Sequence, residues 1–280
     1  MEKSKGIVVL AQNTSQHDYV QQACLLAMSL KLTNNVPISI VTNDEIPSNY
    51  LKLFDQIIPI PFGDSAKDSE WKIENRWKLY HASPYDRTMV LDTDMLILQD
   101  LSSWWEFLSR YQLYFTSNVY TYRGDLVTSD FYRKAFTANN LPNLYSGLHY
   151  FEKSDFAKEF YAWMELVMNN WELFYGTYVK EHYPGRPSID VTAAVVAKIL
   201  DCDTEITNKS SKFPSFTHMK SMIQGWDDPK PSWQSCVGTY INRDCEIKLG
   251  NHKQTGILHY TENDFVTPEI INRYRNKLHV

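Results

Sequence analysis

The sequence predicts an α/β protein, a mostly parallel central sheet flanked by helices. Three observations lead there. Short β-rich runs alternate with a helical pattern through the first sixty residues. Strands alternating with helices imply parallel pairing through right-handed crossovers. A fourth strand-like run, 88–91, stops at Asp92 and Asp94 before apolar residues resume, the place where such sheets carry ligands. The chain has 280 residues, 43% of them apolar and 22% charged, enough to bury a large core.

The elements follow in order. Residues 7–10 are β-rich and end in Gln-Asn-Thr, a strand and then a loop. From 19 to 32 the apolar positions Val20, Ala23, Cys24, Ala27, Met28 and Leu30 recur at helical spacing, and Asn34-Asn35 closes the helix. PISIVT at 37–42 and DQIIPI at 55–60 read as the next two strands. Residues 70–82 read as one helix, ended by Ser-Pro-Tyr-Asp, and 88–91 as the strand after it. A brief extended piece at 96–98, a helix at 101–108 and a strand at 113–116 follow. Residues 148–151 read as a strand, with Ser146-Gly147 in the loop before it. Helices are expected at 154–171 and 189–200, an irregular stretch at 201–255, a last strand at 257–260 and a terminal helix at 268–278.

Composition excludes some classes. Net charge is −5 and no basic stripe runs along any segment, so nucleic acid is not an expected partner. The apolar run near the start, 7–11, is too short for a signal-peptide core, and no stretch approaches the ~20 apolar residues of a membrane span. No stable membrane insertion is expected. Cys24, Cys202, Cys236 and Cys245 have no metal-like spacing. Cys24 reads as a buried thiol, a Cys236–Cys245 disulfide is open, and a reducing, cytoplasmic location is the expectation.

Asp92 and Asp94 set the chemistry. On extended backbone, residues i and i+2 project to the same side. Two carboxylates facing one way repel unless a cation lies between them, and a hard divalent cation is the usual answer. A lone Asp-x-Asp is weak, since a strand can also end in a turn-capping Asp beside a solvated one.

The stretch SPYDRTMVLDTDMLIL (83–98) resembles the Asp-x-Asp segment of GT-A glycosyltransferases, most closely the glycogenin and lipopolysaccharide-galactosyltransferase group. Other pieces fall in the same order: the opening strand, loop and helix (8–30), NLYSGL (143–148), Ser188-Ile189-Asp190, and ILHY (257–260). Together they span roughly residues 6–262, although only the Asp-x-Asp segment is specific by itself. The resemblance implies a GT-A domain over 1–280, with a nucleotide-sugar half at 1–100 and an acceptor half at 101–280. It implies transfer of a hexosyl group from a nucleotide diphosphate sugar, UDP-linked, to a saccharide or other hydroxyl acceptor, with retention of configuration. Asp92, Asp94 and His259 become the ligands of Mn²⁺ or Mg²⁺, an O, O, N set that suits the former.

The same resemblance places Ala11, Gln12, Asn13 and Thr14 against the base and ribose, with Tyr19 stacked on uracil. A helix-start aromatic packed as a staple is the other reading of Tyr19. Arg76, rather than Lys78, falls at the family's basic position near the donor phosphates; a solvated helix face is the alternative for both. Thr93, Ser146 and Gly147 join the donor site. Asp190 is the catalytic candidate, either accepting hydrogen bonds from sugar hydroxyls or acting as a base, and a helix N-terminal role is compatible with either.

Two departures stand out. Tyr145 occupies the family's Asn position, and HYTENDFVTPEI stands where the family continues from its His with Gly and then Lys, the Lys that contacts the diphosphate. Arg273, Arg275 and Lys220 are the substitutes the sequence offers. Trp226 and Trp233, in the aromatic stretch 213–240, suit either sugar stacking or packing. Two rival readings stay in view. LDTD also resembles the first motif of haloacid-dehalogenase-type phosphatases, with Asp92 as nucleophile and Asp227-Asp228 as later ligands. A non-catalytic sugar-binding protein of the same fold is the other.

Overall fold

The computed structural model describes residues 3–69, 72–127, 133–219 and 232–280. The chain begins β1 (Lys5–Leu10), α1 (Tyr19–Thr33), β2 (Ile38–Val41), a 3-10 turn and β3 (Gln56–Ile58). A 3-10 helix (Lys72–Lys78) runs into α2 (Leu79–Ala82), then β4 (Arg87–Leu91), β5 (Met95–Ile97), α3 (Ser102–Leu108), β6 (Leu113–Thr116) and β7 (Val119–Tyr120). Next come α4 (Lys134–Ala138), β8 (Tyr145–Glu152), α5 (Asp155–Asn169), α6 (Trp171–Tyr178), α7 (Ile189–Ile199) and α8 (Asp203–Ile206). The last part holds β9 (Phe216–His218), β10 (Thr239–Ile241), β11 (Ile247–Leu249), β12 (His252–Lys253), β13 (Ile257–His259) and α9 (Pro268–Leu278).

The central sheet has the order β3-β2-β1-β4-β8-β6. The first four strands are mutually parallel, and β8 runs against both β4 and β6. A second sheet, β5-β13-β9-β7, continues from the end of β4, and β10–β12 form a small meander. Both faces of the central sheet are covered, so its strands are apolar on both sides. Ile7, Val9, Met89 and Leu91 pack with α1 and α3 in one core, while Val8, Val90 and Phe115 pack with α5 and α7 in the other. The first core also takes in β13 and α9, so residues from both ends of the chain share it.

Caps match the sequence at the longer helices. The Asp18 carboxylate accepts from Gln21 N–H at the start of α1, Ser154 Oγ from Ala157 N–H at α5, and Thr267 Oγ1 from Ile270 N–H just ahead of Pro268 in α9.

The structure departs from the expected elements in four places. Within 70–82, residues 72–78 are a tight 3-10 helix, because the buried Asn75 and Lys78 side chains turn back to the 63–65 loop. The helix expected at 154–171 breaks at Asn170, whose side-chain amide donates to Leu166 C=O. Tyr145, Ser146 and Gly147 lie inside β8 rather than before it, since β4 pairs along that stretch: Leu91 sits opposite Leu148 and Asp92 N–H donates to Gly147 C=O. Among its described residues the stretch 201–255 holds four strands of two or three residues, too short for a period to be read. All four cysteines are free, so the Cys236–Cys245 bond is not made. Among the described residues no helix is long and apolar enough to cross a membrane.

Candidate functional site

Parallel alignment of β1, β2, β3 and β4 puts the loops that leave them on one rim, where open α/β sheets bind ligands. Asp92 and Asp94 occupy the connection from β4 to β5. They are not on extended backbone as i, i+2 geometry suggested: β4 ends at Leu91, and residues 93–94 form a turn. Their convergence comes from tertiary pairing. β13 runs antiparallel to β5 with His259 opposite Met95, and Tyr260 N–H donates to Asp94 C=O. One ligand atom from each of Asp92, Asp94 and His259 lies within 4.8 Å of the others. His259 Nε2 is 3.0 Å from Asp94 Oδ1 and 3.9 Å from Asp92 Oδ2. Two carboxylates and an imidazole at that spacing are a donor set a Mn²⁺- or Mg²⁺-sized cation fits.

Thr93, between them, points the other way. Its hydroxyl donates to Gln22 Oε1 on α1, 3.0 Å away, and Gln22 in turn donates to Asn263. Only its backbone remains at the rim.

Gly147 lies directly against Asp92. A Cβ there would stand 2.8 Å from Asp92 Oδ2 and 3.2 Å from the Met95 methyl, so only glycine lets β8 approach the carboxylate. Arg76, on the 3-10 helix, pairs with Asp92 Oδ1, and its other terminal nitrogen donates to Ser146 C=O at 3.3 Å. Lys78 is buried elsewhere, donating to Gly63 C=O, Ser65 Oγ and Asn75 Oδ1. Of the two basic residues, the structure brings Arg76 to the site.

The loop after β1 is tightly held. Ala11 N–H donates to Val41 C=O and ends the strand. Gln12 is buried, its amide donating to Asp64 and accepting from Asn75, so its side chain faces away from the cleft's open space. Asn13 N–H donates to Asp44, and Asn13 Oδ1 accepts from Val20 N–H. Asn13, Thr14, His17 and Tyr19 form one side of a cleft of about 500 Å³, with Lys67, Asp68 and Lys72 across it. Tyr19 is partly buried beside the acidic pair; burial and then the negative field of Asp94 and Asp92 push its phenol up to about 12.

Asp190 sits in the first turn of α7, where Ser188 is the cap residue. Its Oδ1 accepts from Ser146 N–H at 2.8 Å and from Ser146 Oγ, and its Oδ2 from Arg133. Burial raises its carboxyl, but the Arg133 guanidinium and the Ser146 hydrogen bonds outweigh it and hold the group below its ordinary value. Beneath Ser146, His149 is fully enclosed: one ring nitrogen meets Ser146 C=O at 2.7 Å and the other Tyr161 OH at 2.8 Å. Burial, then the Arg76 charge, drives its imidazole down to about 3.

Sequence reasoning missed Arg133, His149 and His218. His218 lies beside His259 across the β9–β13 pair, its ring perpendicular to that of His259 at 4.9 Å between centroids. None of the three falls in a motif or a periodic position, so no local signal marks them. The substitutes offered for the absent Lys are elsewhere or outside the described residues. Arg273 pairs with Glu269, Arg275 lies over Tyr50, and α9 packs on α1. Lys220 and Trp226 lie outside the described residues. Trp233 is wholly buried, donating through Nε1 to Tyr260 C=O, and is a packing residue.

No protein-family model and no curated protein matches the chain. Solved structures do. A crystal structure of an active-site mutant of LgtC superposes with a TM-score of 0.50 at 12% identity, over 98% of this chain and 95% of that one. Apo GlyE, a glycosyltransferase of Streptococcus pneumoniae TIGR4, matches at TM-score 0.41 and 18% identity over 74% of this chain; the match spans 45% of GlyE. The galactosyltransferase LgtC with donor and acceptor sugar analogs matches at TM-score 0.44 and 12% identity, over 69% of this chain and 70% of that one. The near full-length LgtC match shows the fold, a mixed α/β GT-A glycosyltransferase fold with a mostly parallel sheet.

Proposed function

We propose that this chain is a metal-dependent glycosyltransferase that moves a hexosyl group from a UDP-linked sugar to a hydroxyl acceptor, with retention. One observation carries the reading: Asp92, Asp94 and His259, from distant parts of the chain, present donor atoms within 4.8 Å of one another at the ligand-bearing rim of a GT-A fold. A divalent cation held there supplies positive charge for a leaving diphosphate.

The chain's own groups fill the remaining roles. Tyr19 and the backbone of Ala11, Gln12 and Asn13 meet the base and ribose in the cleft beside α1. Arg76, already against Asp92 and Ser146, donates to the donor. The backbone of Thr93, Ser146 and Gly147 lines the diphosphate and sugar. Asp190 accepts a hydroxyl of the sugar. In the reaction the C1–oxygen bond breaks with its electron pair leaving on the phosphate, and the acceptor oxygen bonds C1 and gives up its proton to the leaving diphosphate. Residues 1–100 form the nucleotide-sugar half and 101–280 the acceptor half of a single GT-A domain, with Ser146, Gly147, Asp190 and His259 reaching the donor from the second half.

The phosphatase reading fares worse. Three strands precede β4, the strand that leads into Asp92, Met95-Leu96 follows the motif, and the second acidic pair, Asp227-Asp228, lies outside the described residues. A screen of nucleotide sugars by thermal shift, with and without Mn²⁺, separates the readings, because a ligand that binds only the folded state raises the melting temperature. UDP with Mn²⁺ should raise it, UDP alone should not, and Asp94→Asn should abolish the metal-dependent part while leaving the chain folded. Slow hydrolysis of a UDP-sugar supports the transferase; cleavage of an aryl phosphate supports the phosphatase. A metal-dependent shift that survives Asp94→Asn refutes the site.

A further inference from the structure

Arg133 is the most heavily engaged charged side chain near the rim. Its Nε donates to Asn143 Oδ1 at 2.7 Å, one terminal nitrogen to Asp190 Oδ2, and the other to Leu144 C=O. The guanidinium carbon lies over two rings, 4.0 Å from the Phe136 centroid and 3.9 Å from that of Tyr145. A planar fork that stacks on aromatics and bonds three acceptors is a site for arginine alone; lysine offers a point charge without the plane. Five partners of one side chain, Phe136, the consecutive Asn143, Leu144 and Tyr145, and Asp190, are thereby fixed relative to one another.

The carboxylate it holds is nearly saturated. An ionised carboxylate has about four acceptor sites. Asp190 Oδ1 takes two hydrogen bonds from Ser146, and Oδ2 takes one from Arg133, leaving a single site on Oδ2. Ser146 passes the constraint on: its C=O receives Arg76 and His149, and its neighbour Gly147 abuts Asp92. The route runs from Arg133 through Asp190 and Ser146 to Arg76 and the metal-binding carboxylate, with each step a contact.

We propose that Arg133 is a positioning residue: it locks Asp190 onto Ser146 so that Asp190 acts as a one-site hydrogen-bond acceptor for the donor sugar and not as a base. This rests on the transferase reading for its catalytic consequence, but the Arg133–Asp190 coupling is measurable without activity. Tyr145 belongs to the same device. Standing where the resembling family has Asn, it sets its ring against the guanidinium.

Two experiments test it. In the first, the Asp190 carboxyl is titrated by ¹³C NMR in the wild-type chain and in Arg133→Gln and Arg133→Lys. Loss of the guanidinium in Arg133→Gln should raise its midpoint by about one pH unit or more. Arg133→Lys, which keeps the charge, should move it less and keeps the measurement available if the Gln variant does not fold. An unmoved midpoint in the folded variants overturns the proposal. In the second, kcat and KM for UDP-sugar hydrolysis are compared for Arg133→Lys, Asp190→Asn and the double variant. If Arg133 acts through Asp190, kcat falls about tenfold or more with little change in KM, and the double variant is within about threefold of Asp190→Asn alone. Losses that multiply overturn it, because Arg133 would then act independently. A wild-type chain that hydrolyses no donor counts against the transferase reading, and the titration alone then decides on Arg133.

Discussion

Replacing Gly147 by alanine tests how the Asp92 carboxylate, a proposed metal ligand, is placed. The added Cβ falls 2.8 Å from Asp92 Oδ2 and 3.2 Å from the Met95 methyl, inside a buried strand. Overpacking of this kind costs about 1–3 kcal/mol. For a chain of this length each kcal/mol moves the melting temperature by roughly 2 °C, so a fall of about 2–6 °C is expected. The specific effect lies in the metal response. At a hundred times its dissociation constant a ligand stabilises the wild type by about 2.7 kcal/mol, near 5 °C. If displacing Asp92 weakens the cation a hundredfold, the same concentration gives about 0.4 kcal/mol, under 1 °C. Gly6→Ala is the control. Its Cβ would lie 2.4 Å from two Tyr85 ring carbons, and Tyr85 is tied by its hydroxyl to Ser39 Oγ. That variant should lose as much stability or more but keep the full response to Mn²⁺ with UDP. Melting curves with and without both ligands give all the numbers. A Gly147→Ala chain that melts lower yet keeps the wild-type response would refute the link between β8's approach and the Asp92 position.

Other expectations use groups away from the cation. The His149 imidazole is held near 3 in the folded chain against about 6.5 when unfolded. The unfolded state therefore binds more protons between those values, and stability falls as the pH drops from about 6.5 towards 3, with a slope of up to about 1.4 kcal/mol per pH unit from this residue. Urea unfolding at pH 4–7 should show a shallower slope in His149→Gln, and equal slopes would count against a neutral buried imidazole. Cys236 is exposed and the other three cysteines are buried, with Cys24 and Cys202 pushed up to about 12 by burial. A thiol reagent should therefore titrate one group quickly in the native chain and three more only on unfolding; a second fast thiol would contradict the burial of the others.

Much of the fold was legible because its signals are local. The strands of the β-α-β opening, the 19–32 helix, the strand before Asp92 and the terminal helix from Pro268 each declare themselves in fewer than twenty residues. Such readings fail where a distant partner overrides the local preference. Residues 72–78 tighten because Asn75 and Lys78 reach for the 63–65 loop, and Ser146-Gly147 extend because Asp190 and the Asp92 N–H just past β4 take up their backbone groups. Trp233 looked equally suited to sugar and to core, and its buried indole hydrogen-bonded to Tyr260 C=O decides for core.

By itself the sequence carried the α/β class and an acidic pair at the end of a strand, and its resemblance put His259 and Arg76 with that pair as candidates. Tertiary structure alone decided that Thr93 turns to Gln22, that Asn75 and Lys78 reach for the 63–65 loop, and that Arg133 grips Asp190. The physical reason is separation along the chain. Arg133 and Asp190 are 57 residues apart, and no periodicity or motif records a contact made only when β8, α4 and α7 pack together.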